Sequence, residues 1–201
     1  MAQKTVRQTY PRGKPLRLRN ILILLVIFLA LGGYFYFSNR PEPAPPPETQ
    51  LFVWLVEMEE IQHIEIQLPH EDKSQAFIKI EEEDKFPWYF DNLQRSEVDT
   101  QRWGGGIPLL LSGPGANRAI TENATEEELT KFGLTQPQMK ITLTMENGDT
   151  VYINVGDSTP DGRNFFVQAP DTNDVATVDI LWYKEIERLV KEPPYALPSA
   201  D

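Results

Sequence analysis

The hydrophobic pattern of the chain starts with one long apolar run, which begins at Ile21, ends at Phe37 and contains no charged residue. The twenty positions between Arg19 and Arg40, wound as an α-helix at about 1.5 Å per residue, span about 30 Å, which is the thickness of the hydrocarbon core of a bilayer. The pattern therefore predicts a transmembrane helix over residues 20–38, with the lipid bilayer as its partner.

The charges on the two sides of this run predict its orientation. Six basic residues and no acidic residue precede the run, whereas 13 basic and all 30 acidic residues follow it. Short segments rich in Lys and Arg stay in the cytoplasm, so residues 1–19 are predicted to be a basic, disordered cytoplasmic tail. The acidic remainder is expected on the other side of the cytoplasmic membrane, in the periplasm or outside the cell.

A cleaved signal peptide is the alternative for this N-terminal segment, because Ala30, Leu31 and Gly32 resemble a small-residue cleavage site. The aromatic residues that continue the run as far as Phe37 favour a retained anchor instead. Proline dominates the following segment, and residues 39–50 are predicted to be an extended linker between the membrane and a folded domain.

After residue 51 the pattern changes to alternation. Residues 51–58 are mostly apolar and fit either a strand or a helix. Apolar and polar positions then alternate over residues 64–68 and again over residues 76–80, with a polar turn between the two runs, so that a β-hairpin is predicted. A short aromatic strand is predicted at residues 88–90.

The next predicted helix is interrupted. Ser96 and Asp99 have the spacing of a capping box at a helix start, but three consecutive glycines at residues 104–106 and Pro108 follow soon after. Glycine and proline both destabilise a helix interior. The sequence therefore predicts a broken helix here, or a helix followed by a loop.

A second series of elements begins with a short helix. Thr125 and Glu128 have the spacing of a capping box, and Gly133 is suited to end a helix in a left-handed conformation. These signals predict a helix over residues 126–132.

A hairpin follows this helix. Alternating runs at residues 139–145 and 151–155 are separated by Asn147 and Gly148, a residue pair that favours a type I′ turn. Two more strands are predicted, at residues 164–168 and 175–178. A final helix, with Asp179 as its N-cap, is predicted from residue 180 to about residue 191.

These elements predict an α+β fold built mainly from antiparallel β-hairpins and short helices. Residues 51–118 and residues 119–192 each run from a hairpin through a further strand to a helix, which predicts two similar ββ(β)α halves of one extracytoplasmic domain. Whether the halves share one core or form two is left open by the pattern. Residues 193–201 are predicted to be a disordered C-terminal tail.

Composition narrows the possible functions. The chain has 201 residues, a formal net charge of −11 and no cysteine. An acidic protein is a poor partner for nucleic acids, which are polyanions, and a chain without cysteine has no thiol nucleophile, no disulfide and no lipoprotein acylation site. The expected partners are therefore other membrane proteins, and no nucleic acid is expected.

Residues that could carry catalysis or bind a metal do not form a recognised motif. His63 and His70 lack a metal-ligand spacing, the glycines at residues 104–106 lack the lysine of a phosphate-binding loop, and no nucleophile elbow is present. Four aspartates of the later loops lack the order of an EF-hand: Asp157, Asp161, Asp171 and Asp174. The sequence therefore predicts no catalytic residue, no cofactor and no metal site.

Several short stretches resemble one known family. Residues 129–134, Leu-Thr-Lys-Phe-Gly-Leu, are followed by Pro137, by the second hairpin with Gly156 at its end, and by the strand at residues 164–167. This order is similar to that of the bacterial family named domain of unknown function 4340. The similarity covers roughly residues 51–192.

This resemblance implies structure and location more than chemistry. Members of the family typically have an N-terminal membrane span and are often encoded beside membrane transport components, and no catalytic residues come with the motifs. The chain departs from the family pattern in having Phe132, Phe165 and Phe166 where tyrosines are usual. It also has the glycines at residues 104–106 where a leucine-rich helix is usual.

The motif residues are interpreted as structural, because glycine can adopt the left-handed conformation that helix ends and tight turns need, and proline rigidifies the approach to a strand. The structural turn residues are Gly133, Leu134, Pro137, Asn147, Gly148 and Gly156.

A candidate partner surface lies around the glycine triplet, because apolar and aromatic residues concentrate there and such residues are enriched in interface cores. It comprises Trp103, Ile107, Leu109, Leu110 and Leu111. The predicted function is a non-enzymatic, membrane-tethered interaction or accessory subunit of a bacterial membrane protein complex. The alternatives are a ligand-binding accessory protein of a transporter and, third, a carboxylate-dependent hydrolase of envelope polymers.

Overall fold

The structure is a computed structural model that describes residues 18–38, 51–83 and 85–195. Three predicted segments fall outside these ranges, wholly or in part. They are the basic tail up to residue 17, the linker at residues 39–50, and residues 196–201 of the C-terminal tail.

The first of two compact units, residues 1–48, contains helix α1, Leu18–Ser38, which includes the apolar run of the sequence. Apolar side chains of α1, such as Phe28 and Leu29, are exposed. In the part of the chain that the structure describes, no helix combines the length and the hydropathy that a membrane crossing requires. The predicted transmembrane segment stays a prediction.

The second unit, residues 49–201, is built around one sheet of eight antiparallel strands in the order β3-β2-β1-β5-β6-β7-β8-β4. The strands are β1 (Ile61–Leu68), β2 (Lys73–Lys79), β3 (Trp88–Phe90), β4 (Arg118–Thr121), β5 (Met139–Met145), β6 (Thr150–Ser158), β7 (Asn164–Gln168) and β8 (Val175–Asp179). The helices of this unit are α2 (Thr100–Trp103), α3 (Ile107–Ser112), α4 (Glu126–Lys131) and α5 (Ile180–Lys191). Short 3₁₀ turns, Met58–Glu60 and Pro69–Glu71, flank β1. The predicted α+β class is confirmed.

The two predicted halves meet in the antiparallel pair of β1 and β5. Ile64 lies opposite Leu143, and Ile66 lies opposite Ile141, so the apolar positions of both strands face the same side. From this pair β2 and β3 extend in one direction, and β6 and β7 extend in the other. The two predicted halves therefore contribute to a single sheet.

Strand β4 was not predicted. It pairs with β8 at the far edge of the sheet, where Arg118 lies opposite Thr177, and the predicted boundary between the halves after residue 118 falls within it. Its four residues, Arg-Ala-Ile-Thr, are too few to show an alternating pattern. The pairing with a distant strand forms β4, and this pairing leaves no local signal in the sequence.

One main core lies between the sheet and the helices α2, α3 and α5. Residues from both predicted halves are completely buried in it, among them Ile66, Phe77, Ile141 and Ile186. Asp179 caps α5 by accepting a hydrogen bond from the N–H of Leu181 at 2.7 Å. The question that the sequence left open is thus answered in favour of one main core, and a small separate apolar cluster lies beside α4.

The β5–β6 hairpin is present, but its turn is not type I′. Gly148 has a φ of +88°, whereas Asn147 is not among the residues with positive φ, and a type I′ turn needs positive φ at both positions. The N–H of Met145 donates to the Asp149 carbonyl, and the N–H of Gly148 donates to the Met145 carbonyl. The loop therefore has three residues, 146–148, with glycine in the left-handed position that such loops require.

The interrupted helix is confirmed as two short helices, α2 and α3, on either side of residues 104–106. Its start is corrected, because the N-cap of α2 is Asp99, whose Oδ1 accepts a hydrogen bond from the N–H of Arg102 at 2.9 Å. The apolar segment at residues 51–58 forms neither a long strand nor an α-helix, since its β contact is a single bridge from Phe52 to Gly115.

The prediction of a disordered tail is corrected for residues 193–195. Tyr195 forms a β-bridge with Val98, and its ring stacks on that of Phe90 at a centroid distance of 4.1 Å. The carbonyl of Pro194 accepts a hydrogen bond from the N–H of Asp99 at 2.8 Å. These contacts tie the end of the described chain to the start of α2.

Candidate functional site: an apolar patch and an aromatic cavity

Most of the predicted partner surface is not on the surface. Trp103 and Leu111 are completely buried and Ile107 is 2% exposed, while Leu110 packs partly buried against the core. Leu109 is the one member of the set that is largely exposed, at 62%. The expectation of an exposed surface is corrected, because the glycine break lets both short helices fold onto the sheet and bury their apolar sides.

The C-terminal end of α3 is held by two tryptophans. The Nε1 atom of Trp54 donates to the Leu111 carbonyl at 2.9 Å, and the Nε1 atom of Trp182 donates to the Leu110 carbonyl at 2.8 Å. The last carbonyls of a helix have no partner within the helix. Side chains distant in sequence supply the missing donors here, and sequence reasoning did not find these contacts.

Leu109 belongs to a new exposed apolar surface, which we call the Phe52 patch and define as Phe52, Leu55 and Leu109. Leu55 is 69% exposed. The first two residues meet at Gly113, where a Cβ atom would lie 2.6 Å from Leu55 Cδ2 and 3.5 Å from Phe52 Cδ1, and Leu109 lies one helical turn before Gly113. Two backbone hydrogen bonds, from residues 53 and 56 to residues 114 and 112, fix this segment beside α3.

An aromatic cavity of about 220 Å³ lies beside residues 104–106, the glycine break between α2 and α3. Aromatic rings, prolines and one methionine form most of its wall, and one lysine and one glutamate add charge. The lining residues are Met58, Glu59, Lys79, Phe86, Pro87, Trp88, Trp103, Gly105 and Pro108.

Trp103 is the centre of the aromatic wall. Its ring stacks with Trp88 at a centroid distance of 5.5 Å and meets Phe77 edge to face at 4.7 Å. Within the described residues its Nε1 atom is buried without a hydrogen-bond partner, and the only other such side-chain atom is the hydroxyl oxygen of Tyr89. Because successive residues of a strand face opposite sides, Tyr89 lies on the other side of β3 from Trp88.

Lys79 supplies the positive charge of the cavity. Its side chain is only 16% exposed, and its Nζ donates to the Glu59 carbonyl at 2.9 Å. Among the described residues the nearest carboxylate oxygen, Glu81 Oε1, is 3.7 Å away, which is beyond the distance of a good charge-assisted hydrogen bond. The hydrogen bond to the Glu59 carbonyl therefore uses one of the three donors of the ammonium group.

The predicted turn residues lie in three places. Gly148 and Asn147 are in the hairpin loop, Pro137 is buried before β5, and Leu134 is buried beside α4. Gly133 and Gly156 meet where α4 contacts β6, a site that we call the α4 corner.

The α4 corner has no space for side chains at its glycines. Gly133 has a φ of +73°, and a Cβ atom at Gly156 would lie 2.2 Å from the Phe132 carbonyl oxygen. That carbonyl accepts a hydrogen bond from the N–H of Asp157 at 2.8 Å. Both glycines therefore have a packing function here.

Polar clusters elsewhere are engaged in contacts of their own. His63 Nε2 lies 2.9 Å from Asp91 Oδ2, and the other oxygen of Asp91 contacts Arg95. The Asn154 and Gln168 amides, which line a polar depression, bond to each other. Across the described ranges, no group of three or more histidine or carboxylate side chains is placed to hold a metal, so the loop aspartates are not brought together.

Ion pairs connect the β1–β2 turn to the end of α5. Lys191 Nζ lies 2.7 Å from Glu71 Oε1 and 2.9 Å from Glu187 Oε1. The hydrogen bond to Glu71 and that to Glu187 raise the pKa of Lys191, and the hydrogen bonds from Lys191 and Lys73 lower the pKa of Glu71. Burial, assisted by the Glu187 charge, raises the pKa of Tyr183 to about 12. This network fastens the helix to the sheet.

Comparison with known proteins gives one match. Residues 111–191 match the sequence model of the family described as domain of unknown function (DUF4340), which supports the resemblance found in the sequence. No curated protein and no solved structure matches the chain. The matched residues include the α4 corner, whereas all the residues that line the aromatic cavity precede them.

Proposed function

We propose that this chain, whose residues 111–191 belong to the domain of unknown function 4340 family, is a non-enzymatic, membrane-tethered accessory subunit of a bacterial membrane protein complex. The observation that carries the proposal is the Phe52 patch, an exposed apolar surface on an otherwise acidic unit. The tether is the apolar run of α1.

The patch is suited to protein contact because its residues are large, apolar and exposed, and because Phe52 and Leu55 meet at Gly113. Leu55 and Leu109 are each more than 60% exposed, and Phe52 adds an aromatic ring. Adjacent exposed residues of this kind mark interaction surfaces on soluble domains, whereas single exposed leucines do not. The backbone hydrogen bonds that fix residues 52–56 beside α3 hold the patch in one shape, which limits the entropy lost on binding.

The partner is proposed to be the extracytoplasmic part of an integral membrane protein. Residues 39–50 can extend over at most about 40 Å, whatever their conformation, so the patch is confined to a shell close to the bilayer. The acidic charge that follows the apolar run favours a partner surface with Lys or Arg around an apolar centre.

The tether is proposed from the run between Ile21 and Phe37. Apolar side chains such as Phe28 and Leu29 are stabilised by transfer from water to hydrocarbon, at about 25 cal/mol per Å². The basic residues before the run place the N-terminus in the cytoplasm. The folded unit would then lie in the periplasm or outside the cell.

Cysteine labelling tests the tether and its orientation, because the natural chain has no cysteine. Leu93 is 99% exposed, so Leu93→Cys gives a reactive thiol on the folded unit, and Ala2→Cys gives one in the basic tail. A membrane-impermeant maleimide applied to spheroplasts should label the first variant and not the second. Labelling of the second alone would reverse the orientation, and release of the chain by alkaline carbonate would exclude the tether.

A pull-down in mild detergent tests the partner surface. The full chain should retain other membrane proteins in stoichiometric amounts, and the double variant Leu55→Asp, Leu109→Asp should lose them. The double variant Leu93→Asp, Leu181→Asp is the matched control, since it introduces the same two charges at exposed leucines outside the patch. Recovery of the chain alone, or equal retention by the double variant, would contradict the proposal.

A further inference from the structure

A polar depression lies on the face of the sheet opposite the main core. Ile153 of β6 is completely buried in that core, and successive residues of a strand face opposite sides, so Tyr152 and Asn154 face outward. Both line a depression of about 510 Å³, which we call the Tyr152 depression, together with Gln168 of β7. Its other lining residues are Asn123, Ala169, Asp171, Thr172 and Asn173. Tyr152 is 62% exposed, so its ring is accessible from solvent.

The amide groups of the lining are fixed in one arrangement. Asn154 and Gln168 lie opposite each other on β6 and β7, and Asn154 Nδ2 donates to Gln168 Oε1 at 3.3 Å. Gln168 Nε2 donates to the Thr172 carbonyl at 2.9 Å and to Asn173 Oδ1 at 3.1 Å. An amide group has two N–H donors and one acceptor oxygen. The bonds therefore use one N–H of Asn154 and the oxygen of Asn173, and they leave the Asn154 oxygen and the Asn173 N–H groups for other partners.

A second loop forms part of the wall. The N–H of Asn123 donates to Asp174 Oδ1 at 2.8 Å, and the N–H of Ala124 donates to the Asn173 carbonyl at 2.8 Å. These bonds hold together two loops from which Asn123, Asp171 and Asn173 line the depression as exposed residues. A site that has its shape before binding loses less entropy when the ligand arrives.

We propose that the Tyr152 depression binds a neutral saccharide. The exposed ring of Tyr152 has an electron-rich face, which is suited to the C–H face of a sugar ring. Sugar hydroxyl groups both donate and accept hydrogen bonds, and the amide groups of the lining also do both. The depression shares no residue with the Phe52 patch or with the tether, so this binding activity goes beyond the proposed function.

The charge and size of the depression select the ligand class. Among the described residues that line it there is no Lys, Arg or His, and Asp171 is the one charged residue. An anionic ligand would lack a charge-assisted donor and would be repelled by this carboxylate. A lipid would find little apolar contact, because Ala169 is the one aliphatic residue of the lining. The volume lies in the range of about 300–1,000 Å³ that small-ligand sites have, so a short oligosaccharide is the appropriate probe.

Calorimetric titration of the full chain, in a detergent whose headgroup is not a sugar, tests the proposal. The probes are three neutral trisaccharides that differ in linkage and substituents: maltotriose, cellotriose and N,N′,N″-triacetylchitotriose. We expect at least one to bind with a dissociation constant of about 1 mM or below, which corresponds to a few hydrogen bonds and one stacked ring. Failure of all three to bind at millimolar concentrations would overturn the proposal.

The role of the aromatic ring is tested with two variants of Tyr152. Tyr152→Ala should weaken saccharide binding about tenfold, the effect of losing one aromatic contact, whereas Tyr152→Phe keeps the ring and should retain most of the affinity. Leu93→Ala is the control, since it shortens a side chain that is 99% exposed and outside the depression. Equal dissociation constants for Tyr152→Ala and the natural chain would refute binding on this ring.

The role of the amides is tested with Asn154→Val, which should weaken binding about fivefold through the loss of hydrogen bonds. Thr144→Val is the matched control. Thr144 lies on β5 between the buried Leu143 and Met145, so it faces the same side of the sheet as Asn154, but it does not line the depression. If both variants weaken binding equally, the saccharide is not held by the lining amides and the proposal fails.

Charge and location are tested together. Trigalacturonic acid carries a carboxylate on each ring and should bind more weakly than the best neutral trisaccharide, because the lining has no cation to pair with it. Tighter binding of this acid would overturn the assignment of a neutral ligand. The double variant Leu55→Asp, Leu109→Asp should bind the trisaccharide as the natural chain does. Loss of saccharide binding in that variant would place the ligand at the Phe52 patch and refute a site at the Tyr152 depression.

Discussion

The α4 corner and the glycine break between α2 and α3 are both places where a short helix ends against the same sheet. At the α4 corner, a Cβ atom at Gly156 would lie 2.2 Å from the Phe132 carbonyl oxygen, and one at Gly133 would lie 2.5 Å from Asp157 Cγ. At the break, a Cβ atom at Gly105 would meet nothing within 4 Å. Glycine allows close contact in the first region, whereas in the second it interrupts a helix and leaves a space.

The α4 corner therefore has a structural role, whereas the glycine break has the features of a candidate site. The α4 corner is closed by a hydrogen bond from Asp157 N–H to the Phe132 carbonyl and by the rings of Phe132 and Phe166, 4.6 Å apart. The break leaves a cavity and a lysine of low exposure, and the Trp103 Nε1–H beside it has no hydrogen-bond partner among the described residues. The family match covers the first region and leaves the cavity lining out. The family match therefore includes this corner and assigns no ligand to the cavity.

The largest expected effect comes from adding one methyl group to each region. Gly156→Ala should lower the free energy of unfolding by about 3 kcal/mol, because the new Cβ atom overlaps a backbone carbonyl that is hydrogen-bonded and cannot move away. Gly105→Ala should change it by less than about 0.5 kcal/mol, since its Cβ atom enters open space. Urea unfolding of the full chain in detergent, followed by circular dichroism, measures both, and equal losses would remove the distinction.

The sequence was sufficient where the signals are local. The capping box of Thr125 and Glu128 predicted α4 to within one residue, and alternation predicted both hairpins. The turn at Gly148 was assigned to the wrong type, because the Asn-Gly pair suits two loops that differ by one residue in length.

Contacts between distant segments left no such signal. Trp103 was assigned to the candidate partner surface because apolar and aromatic residues concentrate around the glycine triplet, and its burial depends on Phe77 of β2 and Trp88 of β3. The two indole N–H groups that donate to α3 carbonyls belong to Trp54 and Trp182, which are 57 and 72 positions away from their acceptors in the sequence. The cavity and the Phe52 patch both result from this long-range packing. Gly133 and Gly156 were predicted to be turn residues, but their contact with each other's segment was not visible in the sequence.

A smaller effect is expected from removing one indole nitrogen in each of two places. Trp54→Phe and Trp103→Phe remove the same atoms, but the first leaves the Leu111 carbonyl without its donor, whereas the second removes a donor that has no partner in the described ranges of the chain. Trp54→Phe should therefore destabilise the fold by about 2 kcal/mol more than Trp103→Phe, the cost of an unsatisfied buried group. The same urea titration compares them. A larger loss for Trp103→Phe would mean that its Nε1 is paired in solution.

The smallest effect concerns the pH dependence of α4. Glu128 and Thr125 form the capping box of α4. Glu128 Oε2 accepts hydrogen bonds from the Thr125 backbone N–H at 2.8 Å and from the Thr125 hydroxyl at 3.0 Å. These two hydrogen bonds, the backbone one first, lower the pKa of Glu128 from its ordinary value of 4.5. A carboxyl group with a lowered pKa in the folded state stabilises the fold fully above about pH 4.5, and this contribution is lost as the pH falls through the lowered value.

Glu128→Gln should therefore flatten the loss of stability between pH 5 and pH 3 relative to the natural chain, measured as the shift of the thermal midpoint with pH. Glu127→Gln is the matched control, because it removes the same charge from the same helical turn and leaves the capping box intact. Helix α2 is capped by Asp99 through the N–H of Arg102 alone and lacks the reciprocal bond of a capping box. The difference between the two glutamine variants therefore reports on the capping box of α4. If both glutamine variants flatten the profile equally, general charge repulsion accounts for the pH dependence and the capping box does not.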